Sequence, residues 1–146
     1  MSWLKRQHKA ILVIRLFLVA VFLSYGVLKL AGGQYFYGDW TISKAETPGP
    51  WLVWAFYGYS PFYGRITGLF EVLPAVMLMF GRTSLVGAGG LFAVCLNITL
   101  MNFAYNFPAV KYFILLCTVL SLTLVMYDKE KLSALFAAPA STSVRR

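Results

Sequence analysis

Residues 10–32, AILVIRLFLVAVFLSYGVLKLAG, carry only two charges, Arg15 and Lys29, in an otherwise apolar run. A bilayer core about 30 Å thick is crossed by roughly 20 predominantly apolar residues in helical form, so the stretch predicts a membrane helix. Its basic start imitates a signal peptide, but the run is too long for an ordinary h-region, contains Lys29 and ends in KLAGGQYF without a convincing A-x-A cleavage site. It is read as a retained helix.

Three further stretches approach the same length: 63–81 (YGRITGLFEVLPAVMLMFG), 84–105 (SLVGAGGLFAVCLNITLMNFAY) and 108–127 (PAVKYFILLCTVLSLTLVMY). The chain is 60% hydrophobic and 12% charged, with a mean hydropathy of +0.71. That is more apolar surface than a soluble domain of 146 residues can bury, so the solvent is lipid. The sequence therefore predicts an all-α integral membrane protein: one domain, 1–146, holding a four-transmembrane-helix bundle, with an outer loop at 33–62 and a cytoplasmic amphipathic tail at 128–146.

A net charge of +8 could suggest nucleic acid, but the excess is concentrated in the N-terminal KRQHK, Arg15, Arg82 and the C-terminal RR. These positions set topology. By the positive-inside rule both termini and the Arg82 turn face the cytoplasm, and the long first loop and the 101–113 turn face outward. Nucleic acid is not expected as a partner, and membrane lipid is. The tail segment DKEKLSALFAA reads as a short amphipathic helix on the cytoplasmic surface, and AAPASTSVRR is too polar and small-residue-rich to form a core.

The loop carries Trp40, Trp51 and Trp54, three of the four tryptophans, an enrichment suited to the headgroup zone. Within it PWLVWAFYG, 50–58, opens on proline and closes on glycine, which predicts a short interfacial helix. The loop is either an aromatic belt or a lid over an outward-facing cavity. The two cysteines, Cys95 and Cys117, lie about eleven residues on either side of Asn106, hence at similar depth in neighbouring antiparallel helices. Two small buried apolar residues are the plain reading and a redox pair the alternative. His8 lies alone in the basic N-terminal segment, and no metal constellation, haem attachment or flavin fingerprint is present in the sequence.

Under this topology Lys29 falls near the outer end of the first helix with Tyr25 one turn deeper, Glu71 about a third of the way down the second, Asn97 near its depth, and Asn102 and Lys111 above it. All fall in the outer half. A charged residue at mid-helix costs about 2.5 to 3.5 kcal/mol on insertion scales, so Glu71 needs a partner or a proton. Gly64, Gly68, Glu71 and Ala75 share one stripe with small residues that allow close helix approach, which points the acid into the bundle. Pro74, one turn on, is expected to kink or loosen the helix beside it. Three readings of Glu71 stay open: an ion pair with Lys29 or Lys111 holding helices together, a proton acceptor in a quinone or quinol site, or a transport or partner-recognition residue.

Three blocks carry a family resemblance: RLFLVAVFLSYGVLKLAG, YGYSPFYGRITGLFEVLPAVMLMFGRTSLVGA, and NITLMNFAYNFPAVKYFILLCTVLSLTLVMYDKEKLSALF. With G-x-x-K closing the first helix and G-x-x-E opening the second, the chain resembles the DoxX-like membrane proteins of bacteria over most of its length. One departure stands in the turn. The related sequences read Y-D-x-P-x-K, whereas here Asn106 occupies the acidic position and an extra residue separates Pro108 from Lys111. The resemblance implies a four-helix bundle in the cytoplasmic (inner) membrane, with quinone-linked oxidoreductase activity in some members and accessory or assembly roles in others.

Quinone chemistry requires an aromatic slot, a donor to one carbonyl and a base. The candidate walls and contacts are Tyr25, Trp54, Asn97, Asn102, Tyr105 and Phe107; the candidate catalytic residues are Glu71 as proton acceptor with Lys29 and Lys111. Quinone would be a diffusible substrate, with no covalently bound cofactor and no metal, and redox work would need a partner subunit or a direct substrate-to-quinone reaction; a protein partner or a homo-oligomer is expected. The alternative is a non-enzymatic accessory or assembly subunit of a larger membrane complex. A transporter fits less well, because four helices leave little room for alternating access.

Overall fold

The structure is a computed structural model and describes residues 7–130. Of the expected cytoplasmic tail, 128–146, only Asp128, Lys129 and Glu130 are described: Asp128 ends the last helix and is buried rather than lying on the surface, and the remainder of the tail lies outside the described residues. Among the described residues five helices follow in order: α1 (Lys9–Leu30), α2 (Gly49–Gly58), α3 (Pro61–Met77), α4 (Ser84–Ala104) and α5 (Val110–Asp128). Helices α1, α4 and α5 are long and apolar enough to cross a membrane. The expected second span is shorter than 63–81: α3 has 17 residues.

The limits of α3 have local causes. Ser60 accepts a hydrogen bond from the Tyr63 amide and Pro61 occupies the first turn, so the helix starts before Tyr63. At the other end Thr83 Oγ1 donates to the Met77 carbonyl at 2.8 Å, and Met79 and Phe80 turn back onto Val76 and Met77. The predicted interfacial helix is present as α2, with Pro50 in its first turn. His8 is exposed and accepts from the Ala10 amide at 3.4 Å, capping α1.

Burial is distributed as lipid requires. In α4 the buried positions are Ser84, Gly87, Ala88, Leu91, Cys95, Thr99 and Asn102, while Val86, Leu96, Leu100 and Phe103 face outward. Small and weakly polar residues let helices approach one another, and large apolar ones meet the surroundings. A compact apolar cluster of Leu18, Phe22, Ala75, Leu78, Leu91, Ile114 and Leu124 sits at the centre.

Helices α1 and α3 pack as one pair, α4 and α5 as another. Thr99 and Thr118 share a hydrogen bond of 2.8 Å across the second pair. Cys95 and Cys117 are buried free thiols in the same seam. Helix α5 crosses α1 obliquely: Arg15 meets Asp128 while Phe17 meets Phe113. Those two α5 residues lie about 22 Å apart along the helix axis, against about 3 Å for their partners on α1.

The pairs touch where Pro74 of α3 meets α4. A Cβ added to Gly90 would lie 3.1 Å from the Pro74 ring, and one added to Gly87 would lie 2.8 Å from the Pro74 carbonyl. Toward the end of the bundle that carries the α1–α2 loop, α2 lies between α3 and α4. There Gly49 sits against the Tyr105 backbone. The α4–α5 turn at that end holds two non-glycine residues at positive φ, Asn106 (+53°) and Ala109 (+56°), so α5 begins at Val110 rather than at Pro108.

Candidate functional site

The site begins with two glycines. A Cβ at Gly26 of α1 would lie 2.7 Å from Val72 Cγ2 and 2.9 Å from the Gly68 carbonyl, so α1 and α3 are in backbone contact there. This approach brings the last turn of α1 against the third turn of α3. Lys29 Nζ donates to Glu71 Oε1, and both residues are buried, at 6% and 2% exposure. All four buried residues of α3 are those of the small-residue stripe: Gly64, Gly68, Glu71 and Ala75. The other carboxylate oxygen, Glu71 Oε2, is buried with no hydrogen-bond partner among the described residues.

A cluster of rings forms at the same end of the bundle. Tyr35 and Tyr57 stack at 5.1 Å, Tyr57 and Tyr63 at 5.8 Å, and Trp54 stands edge-on to Tyr35 at 5.9 Å. Burial pushes the Tyr35 phenol well above its ordinary range, with Thr67 opposing and the negative field of Glu71 adding to the rise. Burial likewise raises Tyr57, with Tyr63 and Glu71 contributing in the same sense. The field of Glu71 thus reaches both phenols. Gln34 Oε1 and Tyr37 Oη, from the α1–α2 loop, are also buried and unpartnered among the described residues, the latter against Gly64.

An apolar groove of about 940 Å³ opens next to this assembly. Its walls include Trp40, Leu52, Phe56, Tyr63, Met101 and Tyr105, whereas Lys29 and Glu71 do not line it. Tyr63 belongs both to the groove wall and to the ring stack.

The structure divides the residues singled out from sequence. Lys29 and Glu71 come together, Trp54 joins the rings at that end of the bundle, and Tyr105 lines the groove. Lys111 does not reach the acid: its Nζ donates to Asn106 Oδ1 at 2.8 Å and lies 5.8 and 5.5 Å from the Phe103 and Tyr112 rings. The oblique course of α5 removes the common depth that sequence assigned to Lys29 and Lys111. Tyr25 is half exposed, and Asn97 is exposed because it stands about 200° around α4 from buried Cys95. Asn102 is buried and donates to the Ile98 carbonyl at 2.7 Å, and its Oδ1 has no partner among the described residues. Phe107 is half-buried in the α4–α5 turn and is not among the groove-lining residues.

Sequence reasoning passed over the tyrosine stack and a second buried ion pair. Arg15 Nη2 donates to Asp128 Oδ2 at 3.1 Å, Arg15 Nε to Gln7 Oε1 at 3.1 Å, and Arg15 Nη1 to the Leu78 carbonyl at 3.4 Å. A usable signal existed: Arg15 and Lys29 are fourteen residues apart, close to four whole helical turns, and so share the buried face of α1.

No family model matches the chain, and no solved structure matches it. A curated protein of Bacillus subtilis (strain 168), described as uncharacterized protein YwoB, is 34% identical over 124 residues, covering 84% of this chain and 79% of the relative. At that identity and coverage, the chain belongs to the same family as YwoB.

Proposed function

We propose that the chain is a DoxX-like protein of the bacterial inner membrane that holds a quinone or quinol headgroup in the outer half of a four-span bundle. Helix α3 serves as the fourth span: 17 residues extend about 26 Å, close to a hydrocarbon core of about 30 Å. The charge bias of Arg82 and the basic termini supports an orientation with both ends in the cytoplasm and the α1–α2 loop outside.

The observation that carries this reading is the buried Glu71 carboxylate, held by Lys29 through one oxygen and unpartnered at the other among the described residues, at the same end of the bundle as the stacked rings. A headgroup entering past the rings would meet an acceptor for its hydroxyl proton and an ammonium beside it. The electrons of a quinol oxidation would pass to a redox partner subunit. Glu71→Gln is expected to abolish quinone-dependent turnover of the complex while leaving the helices folded.

The alternative is an accessory or assembly subunit, and one observation favours it: Lys29 and Glu71 already satisfy each other's charge between two closely packed helices. Purification from the native membrane separates the readings. A bound quinone supports the first, and a stoichiometric protein partner without quinone supports the second.

A further inference from the structure

Asn97 presents an amide to the surroundings from a helix long and apolar enough to cross a membrane. Other outward-facing polar side chains on such helices satisfy themselves: Ser24 donates to the Ala20 carbonyl and Thr123 to that of Val119, each four residues back. Buried Asn102 does the same with Ile98. Asn97 does not turn to Ala93, and its side chain makes no hydrogen bond among the described residues. The amide also lies too deep to be served from the membrane surface. It stands seven residues before Ala104, the last of α4, hence about 10 Å inside the helix end, and its short side chain cannot climb to the headgroups as a lysine's does. A polar group in hydrocarbon without a partner is costly, so the partner comes from outside this chain.

We infer that the outer face of α4 pairs with the same face of a second copy of this chain, the two Asn97 amides bonding across a two-fold axis. The inference is independent of the quinone reading above. A carboxamide carries both donor and acceptor, so two copies inserted in the same direction satisfy each other, as an isologous contact requires. Helix α4 holds no charged residue, so like meets like without repulsion. Val86, Gly89, Ala93, Asn97 and Leu100 fall within about 80° of one another around the helix, opposite the buried face that carries Ala88 and Cys95. Val86, Ala93 and Leu100 are exposed there, and a Cβ added to Gly89 would meet nothing within 4 Å. The small residues one and two turns below the amide let the backbones come close enough for its hydrogen bond. Beyond Leu100 the face is occupied, since Met101 and Tyr105 line the groove with residues of α2. The contact is therefore confined to residues 86–100, about 21 Å of helix.

The test is self-association of the full chain in lipid vesicles, with subunits counted by single-molecule photobleaching of an N-terminal fluorophore over a series of protein-to-lipid ratios. The wild-type protein is expected to form dimers as the ratio rises. Asn97→Leu is expected to weaken the dimer about tenfold, while Asn97→Gln, which keeps the amide, stays within about threefold of the parent. Gly89→Ile, at a position with open space in the single chain, is expected to weaken it at least as much as Asn97→Leu with helix content unchanged by circular dichroism. Val119→Ala, on the exposed side of α5, is the control and is expected to change nothing. A wild-type protein that stays monomeric at every ratio overturns the inference, and this measurement needs no variant to fold. So does a dimer that both Asn97→Leu and Gly89→Ile leave intact, because its contact then lies elsewhere. Asn97→Gln as weak as Asn97→Leu removes the amide from the contact. A monomer that instead captures a different membrane protein through Asn97 overturns the second copy as the occupant.

Discussion

The Arg15 guanidinium and the Asp128 carboxylate meet at 3.1 Å with both side chains buried, joining the start of α1 to the end of α5. Through its contact with the Leu78 carbonyl, Arg15 also engages the C-terminal end of α3, where the helix dipole favours positive charge. One side chain therefore ties three helices together at the end of the bundle opposite the α1–α2 loop.

Removing one member of that pair leaves the other charge buried. Asp128→Asn or Arg15→Gln is expected to destabilise the protein by about 3 to 5 kcal/mol, read as a lower unfolding midpoint in a denaturing-detergent titration. The double replacement Arg15→Met with Asp128→Leu is expected to recover most of the loss. Equal destabilisation by the single and double variants would show that the pair is not a coupled unit.

These two ion pairs show where the sequence was legible. Glu71 was legible because an acid surrounded by apolar residues on a glycine stripe has one economical direction, inward, and the nearest basic helix end supplied Lys29. Lys111 was misplaced because depth was counted along parallel helices, whereas α5 lies obliquely across α1. Crossing angle depends on which small residues meet across an interface, here Gly87 and Gly90 against Pro74, and no single helix carries that information. The tyrosine stack was hidden for a related reason: Tyr35, Tyr57 and Tyr63 come from a loop and two helices.

The contact that delivers Lys29 to Glu71 leaves little room at Gly26. Gly26→Ala places a methyl group 2.7 Å from Val72 Cγ2 and 2.9 Å from the Gly68 carbonyl, forcing α1 and α3 apart. A loss of about 1 to 3 kcal/mol is expected. Gly89, whose added Cβ would meet nothing within 4 Å, is the control, and Gly89→Ala is expected to be neutral or slightly stabilising. Comparable losses at both positions would refute the close-approach account.

The Thr99–Thr118 hydrogen bond is expected to matter far less than its burial suggests. In a membrane the separated helices also find partners for their hydroxyls, so measured interhelical bonds average about 0.6 kcal/mol. A double-mutant cycle through Thr99→Val and Thr118→Val should return a coupling of that size. A coupling above about 2 kcal/mol would place this pair with the charged ones.

Ala109 holds φ +56° in the α4–α5 turn, a region costly to a residue with a Cβ. Ala109→Gly is expected to raise stability by about 1 kcal/mol, because the relief of strain exceeds glycine's added unfolded-state freedom. Asn106 occupies the left-handed region more readily and holds Lys111, so Asn106→Ala is expected to lower stability. An Ala109→Gly variant less stable than the parent would exclude the positive-φ turn.

The raised phenols at the loop end of the bundle give the protein an alkaline limit with a definite sign. Tyr35 and Tyr57 hold their protons above the ordinary phenol value of 10.0 in the folded chain, because burial disfavours the phenolate and Glu71 repels it. Below that value folded and unfolded chains are equally protonated, and the contribution to stability is complete. As pH rises further the unfolded chain ionises first, so stability falls until the folded-state value is passed. For Tyr35 the slope is at most about 1.4 kcal/mol per pH unit; Tyr57 adds to it in the same direction. Unfolding followed by circular dichroism across about pH 9 to 12 should show this decline, and Tyr35→Phe should flatten it. Tyrosinate absorbance supplies the second readout: two of the phenols should ionise only as the helices unfold, and their ionisation in the folded protein at the ordinary value would mean that the stack is open to solvent.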